Sequence, residues 1–298
     1  MKPTIGFILL THNKPYQVIR LVSVLNHMFD NPSIVCHHDF SQSNFDGDTL
    51  TGNVSIVQPH IKTGWGRFSI IEAMLRAFQL MVESPASPDW FILLSGADYP
   101  IKPAGQIISD LDSSLFDVHI EHEPIRYSSY KSDWHKMCYY RYCVVKFWVP
   151  FLNWRHHLIR RIVTLSNPLI TSPFLPFSRK FGCFAGGQWF CANRKAANYL
   201  MKFHKEKPAL AAHYRRLDRY KAIVPEESYF QTIFGNAPGL KVSENNWRYT
   251  DWSTQGSHPK TLLDDDLPKI LASSAHFARK FDLDEDVRIF NEFDSIIG

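Results

Sequence analysis

Short apolar runs closed by turn residues alternate with apolar residues at helical spacing through the first hundred positions. "TIGFILLTHNKP" opens as a continuous apolar run, the pattern of a strand buried on both faces, and "YQVIRLVSVLNHMF" follows with apolar residues every three or four positions. "SIVCHHDF" and "NVSIVQP" predict two further strands, "SIIEAMLRAFQLMVES" an amphipathic helix, and "DWFILLSGADYP" a buried strand with small and acidic residues at its C-terminal end. This alternation predicts an α/β chain with an open, Rossmann-type, mostly parallel sheet flanked by helices. Ligands of such sheets sit beyond the carboxyl ends of the strands. The tips to inspect are therefore at 11–13, 37–39 and 95–98.

The middle of the chain has another texture. From "YYRYCVVKFWVPFLNWRHHLIRRIV" to "NPLITSPFLPF" it is aromatic, basic and then broken by prolines. Residues 135–180 are accordingly expected to form a helical insertion over the sheet, either a lid or an acceptor wall, with peripheral membrane contact through 139–163 as the alternative. Beyond it, "GGQWFCANRKAANYLMKFH" predicts a strand and a helix, and "VPEESYFQTIF" a loop entering a helix. Acidic clusters at 264–266 and 284–286 mark two late helix starts. No repeat or linker divides the chain, so a single domain over 1–298 is expected.

Composition narrows the function classes. At 298 residues with 45% hydrophobic and 21% charged content, the chain can bury a sizeable core. Its 14% aromatic share gives rings enough to stack on sugars or bases as well as to fill that core. A net charge of +4 suits an anionic ligand in a local pocket and falls short of the broad basic face of a nucleic-acid binder. The five cysteines, Cys36, Cys138, Cys143, Cys183 and Cys191, form no CxxC pair and are expected to be buried free thiols. No apolar run approaches the ~20 residues of a membrane span. A cytoplasmic protein is expected, peripheral at the inner face of a membrane if the basic segment makes contact.

The candidate chemistry centres on Pro225, Glu226 and Glu227. Proline suits a helix's first position and carboxylates suit its first turn, so the trio is explained by capping alone. The same dipole would keep one carboxylate ionised as a general base for a hydroxyl nucleophile. One acid can cap while the other faces a cleft, and the sequence does not say which. Lys260, Arg279 and Lys280 are late cations able to neutralise a diphosphate. A metal-binding Asp-x-Asp is offered only by Asp46 and Asp48 in a polar stretch that reads as a turn, and the strand end at "FILLSGADYP" supplies Asp98 alone. GxSxG, Walker A, GxGxxG and HExxH motifs are missing, which weakens hydrolase, kinase and dinucleotide readings.

Six stretches in order, "WGRFSIIEAMLRA", "FILLSGADYPIKP", "GGQWFCANRKAANYL", "VPEESYFQT", "GSHPKTL" and "HFARKFD", resemble the blocks of glycosyltransferase family 14. That family groups core-2/I-branching β-1,6-N-acetylglucosaminyltransferases, peptide O-xylosyltransferases and plant glucuronosyltransferase relatives. The likeness runs from about position 4 to about 282. It implies a GT-A-like fold, a UDP-sugar donor, a glycan or glycoconjugate acceptor, and inverting transfer with no metal or other cofactor. By motif position Glu227 matches the catalytic base, Lys280 the lysine facing the diphosphate, and Lys260 a second cation. Asp39 falls where the family has an acid near the uridine. The donor is expected over Thr11, His12, Asp39, Lys260, Arg279 and Lys280, with Asp98, Gln188, Trp189 and Glu226 on the acceptor side. GlcNAc is the favoured sugar, with xylose or glucuronate, or an inactive carbohydrate- or membrane-binding relative, as alternatives.

Overall fold

The computed structural model describes residues 2–46, 50, 52–127, 132–152, 158–254, 256 and 258–298. Strand β1 (Ile5–Thr11) leads into helix α1 (Pro15–Phe29), which starts on the proline at its first turn; β2 (Ser33–His38), β3 (Val54–Ile56), α2 (Phe68–Val82) and β4 (Trp90–Ser95) follow. Next come β5 (Tyr99–Pro100), α3 (Ala104–Asp112), β6 (Val118–Ile120), β7 (Glu123–Ile125) and α4 (Asp133–Tyr142). The 135–180 region continues with β8 (Val145–Leu152), β9 (Leu158–Leu165) and the short α5 (Pro168–Thr171). The last third holds β10 (Cys183–Ala185), β11 (Phe190–Asn193), α6 (Arg194–Glu206), α7 (Pro208–Asp218) and α8 (Tyr229–Gly235). It closes with β12 (Val242–Ser243), β13 (Arg248–Thr250), α9 (Leu267–Leu271), β14 (Phe277–Arg279) and α10 (Val287–Ile297).

The central sheet has seven strands in the order β12-β6-β11-β4-β1-β2-β3. All neighbours run parallel except β11, which is antiparallel to both β4 and β6. The mostly parallel α/β sheet with helices on both faces is thus present, and the run β4-β1-β2-β3 is the part the alternation predicts. Because successive strand residues point to opposite faces, the continuous apolar runs feed two cores. Ile8, Val35, Phe91 and Leu93 pack with α2, α6 and α8, whereas Phe7, Leu9, Cys36, Ile92 and Leu94 pack with α1, α3 and α10. All five cysteines are buried and free.

The expected helical insertion is corrected. Only α4 is helical through its first part; the stretch after it is the antiparallel ribbon β8–β9, which pairs Val145 with Leu165 at one end and Leu152 with Leu158 at the other. The physical reason lies in "VVKFWVPFL" and "LIRRIV". They are rich in β-branched and aromatic residues, and Pro150 would remove a helix hydrogen bond that a two-stranded edge does not need. Part of the membrane-contact region expected at 139–163, residues 153–157, lies outside the described residues. No described helix is long and apolar enough to cross a membrane.

Candidate active-site cleft

Parallel β1, β2 and β4 end on one edge of the sheet, and the tips of β1 and β4 form the floor of a cleft of ≈ 1160 Å³. At the first tip Thr11 Oγ1 lies 2.8 Å from His38 Nδ1, and His12 follows into the cleft. Asp39 does not line the cleft. Its carboxylate is buried and accepts from Ser41 N and Oγ, Gln42 Nε2, and Thr63 N and Oγ1 at 2.6–3.0 Å. Burial alone would raise its pKa, but these donors outweigh that and hold it well below the usual carboxylate range. Asp39 thereby ties together the two loops whose Gln42 and Thr63 face the cleft.

The second wall comes from the far end of the sequence. Gln17 Nε2 donates to the carbonyls of Gly96 (2.7 Å) and Phe281 (3.1 Å), and Phe281 N donates to Ala97 O. These bonds pin the segment after β14 against the β4 tip, which is how Arg279 and Lys280 reach the cleft. The Arg279 guanidinium lies over the Trp189 ring at 4.4 Å, with its Nε 3.7 Å from Asp98. Arg248, at the start of β13, lies over Phe277, donates to Leu93 O at 2.9 Å and stands 3.9 Å from the same aspartate. Asp98, fully buried and held by the Ser95 N–H at 2.7 Å, is thus a counter-ion set between two arginines, not a group on the cleft lining. Burial lowers the pKa of Arg279, opposed by Asp98 and reinforced by Arg248. Lys280 is likewise lowered, by burial and then by Arg279. Lys260 turns away, and both oxygens of Asp266 accept from its Nζ at 2.7 and 2.8 Å.

The third wall joins the "GGQW" and "PEES" stretches. A Cβ on Gly186 would stand 2.0 Å from the Glu121 carbonyl oxygen, so only glycine lets this loop touch the end of β6. Gly186 N donates to Glu227 O at 2.9 Å, and Gln231 Nε2 reaches the carbonyls of Gly186, Gly187 and Glu226. On the other side Val224 adopts φ 51°, a left-handed conformation costly for a β-branched residue. Its N–H donates to Gly66 O and its carbonyl accepts from the Tyr142 hydroxyl at 2.8 Å. Gly66 is itself at φ 63°, a conformation that favours glycine, and an added Cβ would press on Ala222 and Val224 at 3.2–3.3 Å. The result is a 3-10 turn over Pro225–Glu227, separate from the seven-residue α8 that starts at Tyr229.

This corrects the expected electrostatics at the two glutamates. With no long helix behind the turn, burial wins over any dipole. Glu226 is buried with its Oε2 unpartnered, and burial raises its pKa to about 8, the neighbouring Glu227 adding to the shift. Glu227 is half-exposed; burial raises its pKa too, but Arg141 Nη1, 3.3 Å from Oε2, pulls it back. Burial thus favours the neutral form of Glu226, while Arg141 favours the ionised form of Glu227.

Thr11, His12, Gln188, Trp189, Glu226, Glu227, Arg279 and Lys280 therefore meet in one cleft, whereas Asp39, Asp98 and Lys260 are engaged behind its walls. Sequence reasoning missed Arg141 and Arg248. Arg141 was masked by its aromatic, basic surroundings, and Arg248 carries no signal beyond that of a cation among the aromatic and polar residues of "NNWRYTDW". Trp65 and Trp252, both more than half exposed, add open aromatic faces to the lining. Asp46 is exposed and Asp48 lies outside the described residues. Among the described residues no three His, Cys, Asp or Glu side chains gather as metal ligands do.

A family model described as "Branch: Core-2/I-Branching enzyme" matches residues 5–267. The chain is 24% identical over 323 residues to xylosyltransferase 1 of Rattus norvegicus, covering 98% of this chain and 35% of that protein. It is 23% identical over 259 residues to xylosyltransferase 2 of the same species, covering 77% and 26%. Against xylosyltransferase oxt of Drosophila pseudoobscura pseudoobscura the figures are 22% over 250 residues, 77% and 26%. The chain thus spans about a third or less of the length of these curated relatives. Among solved structures, the apo bifunctional glycosyltransferase WbbM aligns with 94% of this chain and 46% of its own at a TM-score of 0.40 and 11% identity.

Proposed function

This chain belongs to the Core-2/I-Branching enzyme family, a family of glycosyltransferases, and from that premise we propose that it moves a sugar from a UDP-sugar to a hydroxyl of a glycan or glycoconjugate. The observation that carries the reading is the convergence of an arginine-held carboxylate, Glu227, and the cations Arg279 and Lys280 on one cleft over the strand tips. In it the nucleotide lies over Thr11 and His12, with the diphosphate against Arg279 and Lys280. Glu227 takes the proton from the acceptor hydroxyl as that oxygen attacks the anomeric carbon from the side opposite the leaving UDP, which inverts the centre. Negative charge growing on the β-phosphate is met by Lys280 and Arg279, whose placement in a partly dry cleft strengthens the interaction. In this reading those cations do the work that a divalent ion does elsewhere, and Lys260 contributes indirectly through the loop it fixes with Asp266.

The donor sugar follows from two different supports. The family description points to branching enzymes, which use GlcNAc, while the relatives reported above are named xylosyltransferases. A screen of UDP-GlcNAc, UDP-xylose and UDP-glucuronate by UDP release, run with and without EDTA and with a panel of sugar acceptors, tests the reading. We expect release with one donor, dependent on acceptor and unchanged by EDTA. Release abolished by EDTA and restored by Mn²⁺ would replace the cation pair by a metal. Glu121, Glu123 and Glu244 also line the cleft, which favours neutral or amine-bearing acceptors over acidic ones.

A further inference from the structure

Among the described residues the β8–β9 ribbon belongs to no larger sheet. Its register sets Phe147 opposite Val163 and Trp148 opposite Ile162. Neighbouring strand residues point to opposite faces, yet Phe147 and Trp148 are 38% and 48% exposed and Ile162 is 41% exposed. Both faces of the ribbon thus offer apolar side chains to the surroundings, the Trp148 face being covered only in part by Tyr220 at 5.9 Å between ring centroids, although a two-stranded ribbon is marginal in water and gains stability by covering one face. Arg160 and Arg161 are exposed on β9, one on each face. At the base of β8 the Lys146 amine is buried with no hydrogen-bond partner, and burial together with Lys221 lowers its pKa to about 8.

The charge distribution tells what such a surface fits. From Trp134 to Lys205 the sequence holds twelve Lys and Arg and no Asp or Glu, while the rest of the chain has 21 Lys and Arg against 29 acids. The mild net charge of +4 conceals this basic run; its Arg141, Arg194 and Lys195 are paired with Glu227, Asp89 and Asp117 on other elements, and Arg160 and Arg161 stand exposed on the ribbon. Aromatic and aliphatic side chains flanked by arginines, on an element that projects apolar groups in two directions, match the interfacial zone of an anionic bilayer. There the apolar groups enter the headgroup–acyl boundary and the guanidiniums meet lipid phosphates. A nucleic-acid platform would instead present its aromatics on one basic face.

We propose that the β8–β9 ribbon docks this protein on anionic phospholipid membranes. The test is sedimentation of the full chain with vesicles of phosphatidylcholine alone or mixed with phosphatidylglycerol. Binding is expected to the mixed vesicles only and to weaken as salt is raised. Arg160→Gln/Arg161→Gln should lower partition roughly 30-fold, from about a fivefold contribution per surface arginine. Trp148→Ser should also lower it, with the far-UV circular dichroism of both variants unchanged. No partition into the mixed vesicles, equal partition into phosphatidylcholine alone, or an undiminished double variant would overturn the proposal. So would displacement from the mixed vesicles by duplex DNA at equal phosphate concentration, which would identify a general polyanion site.

Discussion

Glu226 and Glu227 carry the same group in adjacent positions, and burial separates them. The Glu226 carboxyl sits dry with an unpartnered oxygen; Glu227 stands at the cleft with Arg141 beside it. Two outcomes follow. For Glu226, the folded chain holds a proton that the unfolded chain releases between the ordinary 4.5 and about 8, so the folded state binds more protons across that window and loses stability as pH rises through it. Glu226→Gln mimics the protonated form and should flatten this dependence, adding a few kcal/mol at pH 8 at about 1.4 kcal/mol per pKa unit. Urea melts at pH 5 and pH 8 check it, and an unchanged difference between the two would contradict it. For Glu227, removing the arginine that favours its ionised form raises its pKa. Arg141→Gln should therefore move the acid limb of the kcat/KM profile to higher pH, with activity recovering in alkali. A limb that stays in place would separate Arg141 from the base. Helix-start chemistry marked both acids without distinguishing them, and only the motif resemblance singled out Glu227; the arginine that sets it apart lies 86 positions away on α4.

At the scale of elements, periodicity served well where packing is two-sided. "IGFILL", "WFILL" and the amphipathic run in α2 are as the alternation indicates, because strands covered on both faces and helices covered on one leave strong patterns. Two elements escaped. The antiparallel placement of β11 between β4 and β6 is a matter of topology that no local pattern encodes. The β8–β9 ribbon escaped because its exposed aromatics and arginines give neither a clean two-residue nor a clean 3.6-residue period. The loop between β10 and β11 rests on a steric condition legible only in three dimensions. Gly186→Ala would force that loop off the Glu121 backbone and loosen the Gly186–Glu227 hydrogen bond, at a cost of about 1–3 kcal/mol. Turnover should fall with it, while Gly105→Ala, in α3 with nothing near the added carbon, should leave both stability and turnover close to wild type. Thermal melts and UDP release of the two variants read the difference. Equal behaviour would show that the loop adjusts freely.

For the whole molecule, the cleft gathers Thr11 from the first strand, Glu227 from a turn and Lys280 from beyond the last strand. Ordered motif blocks named Glu227 and Lys280, whereas Thr11 was marked by its place at the carboxyl end of a predicted strand. Asp39, Asp98 and Lys260 lie in equally recognisable stretches, yet each is engaged by protein partners: loop donors, two arginines and Asp266 respectively. Sequence reports the residue type at a position but not who occupies its hydrogen-bonding capacity. In the proposed mechanism both sides of the cleft act together: Glu227 removes the acceptor proton while the cations hold the departing UDP. The most direct measurement is turnover and UDP affinity of Glu227→Gln beside wild type, with the donor found by the screen. If Glu227 is the base, turnover falls by about 10² to 10⁴ with UDP affinity unchanged; a variant that keeps more than about a tenth of the wild-type rate, well outside that loss, would contradict this role.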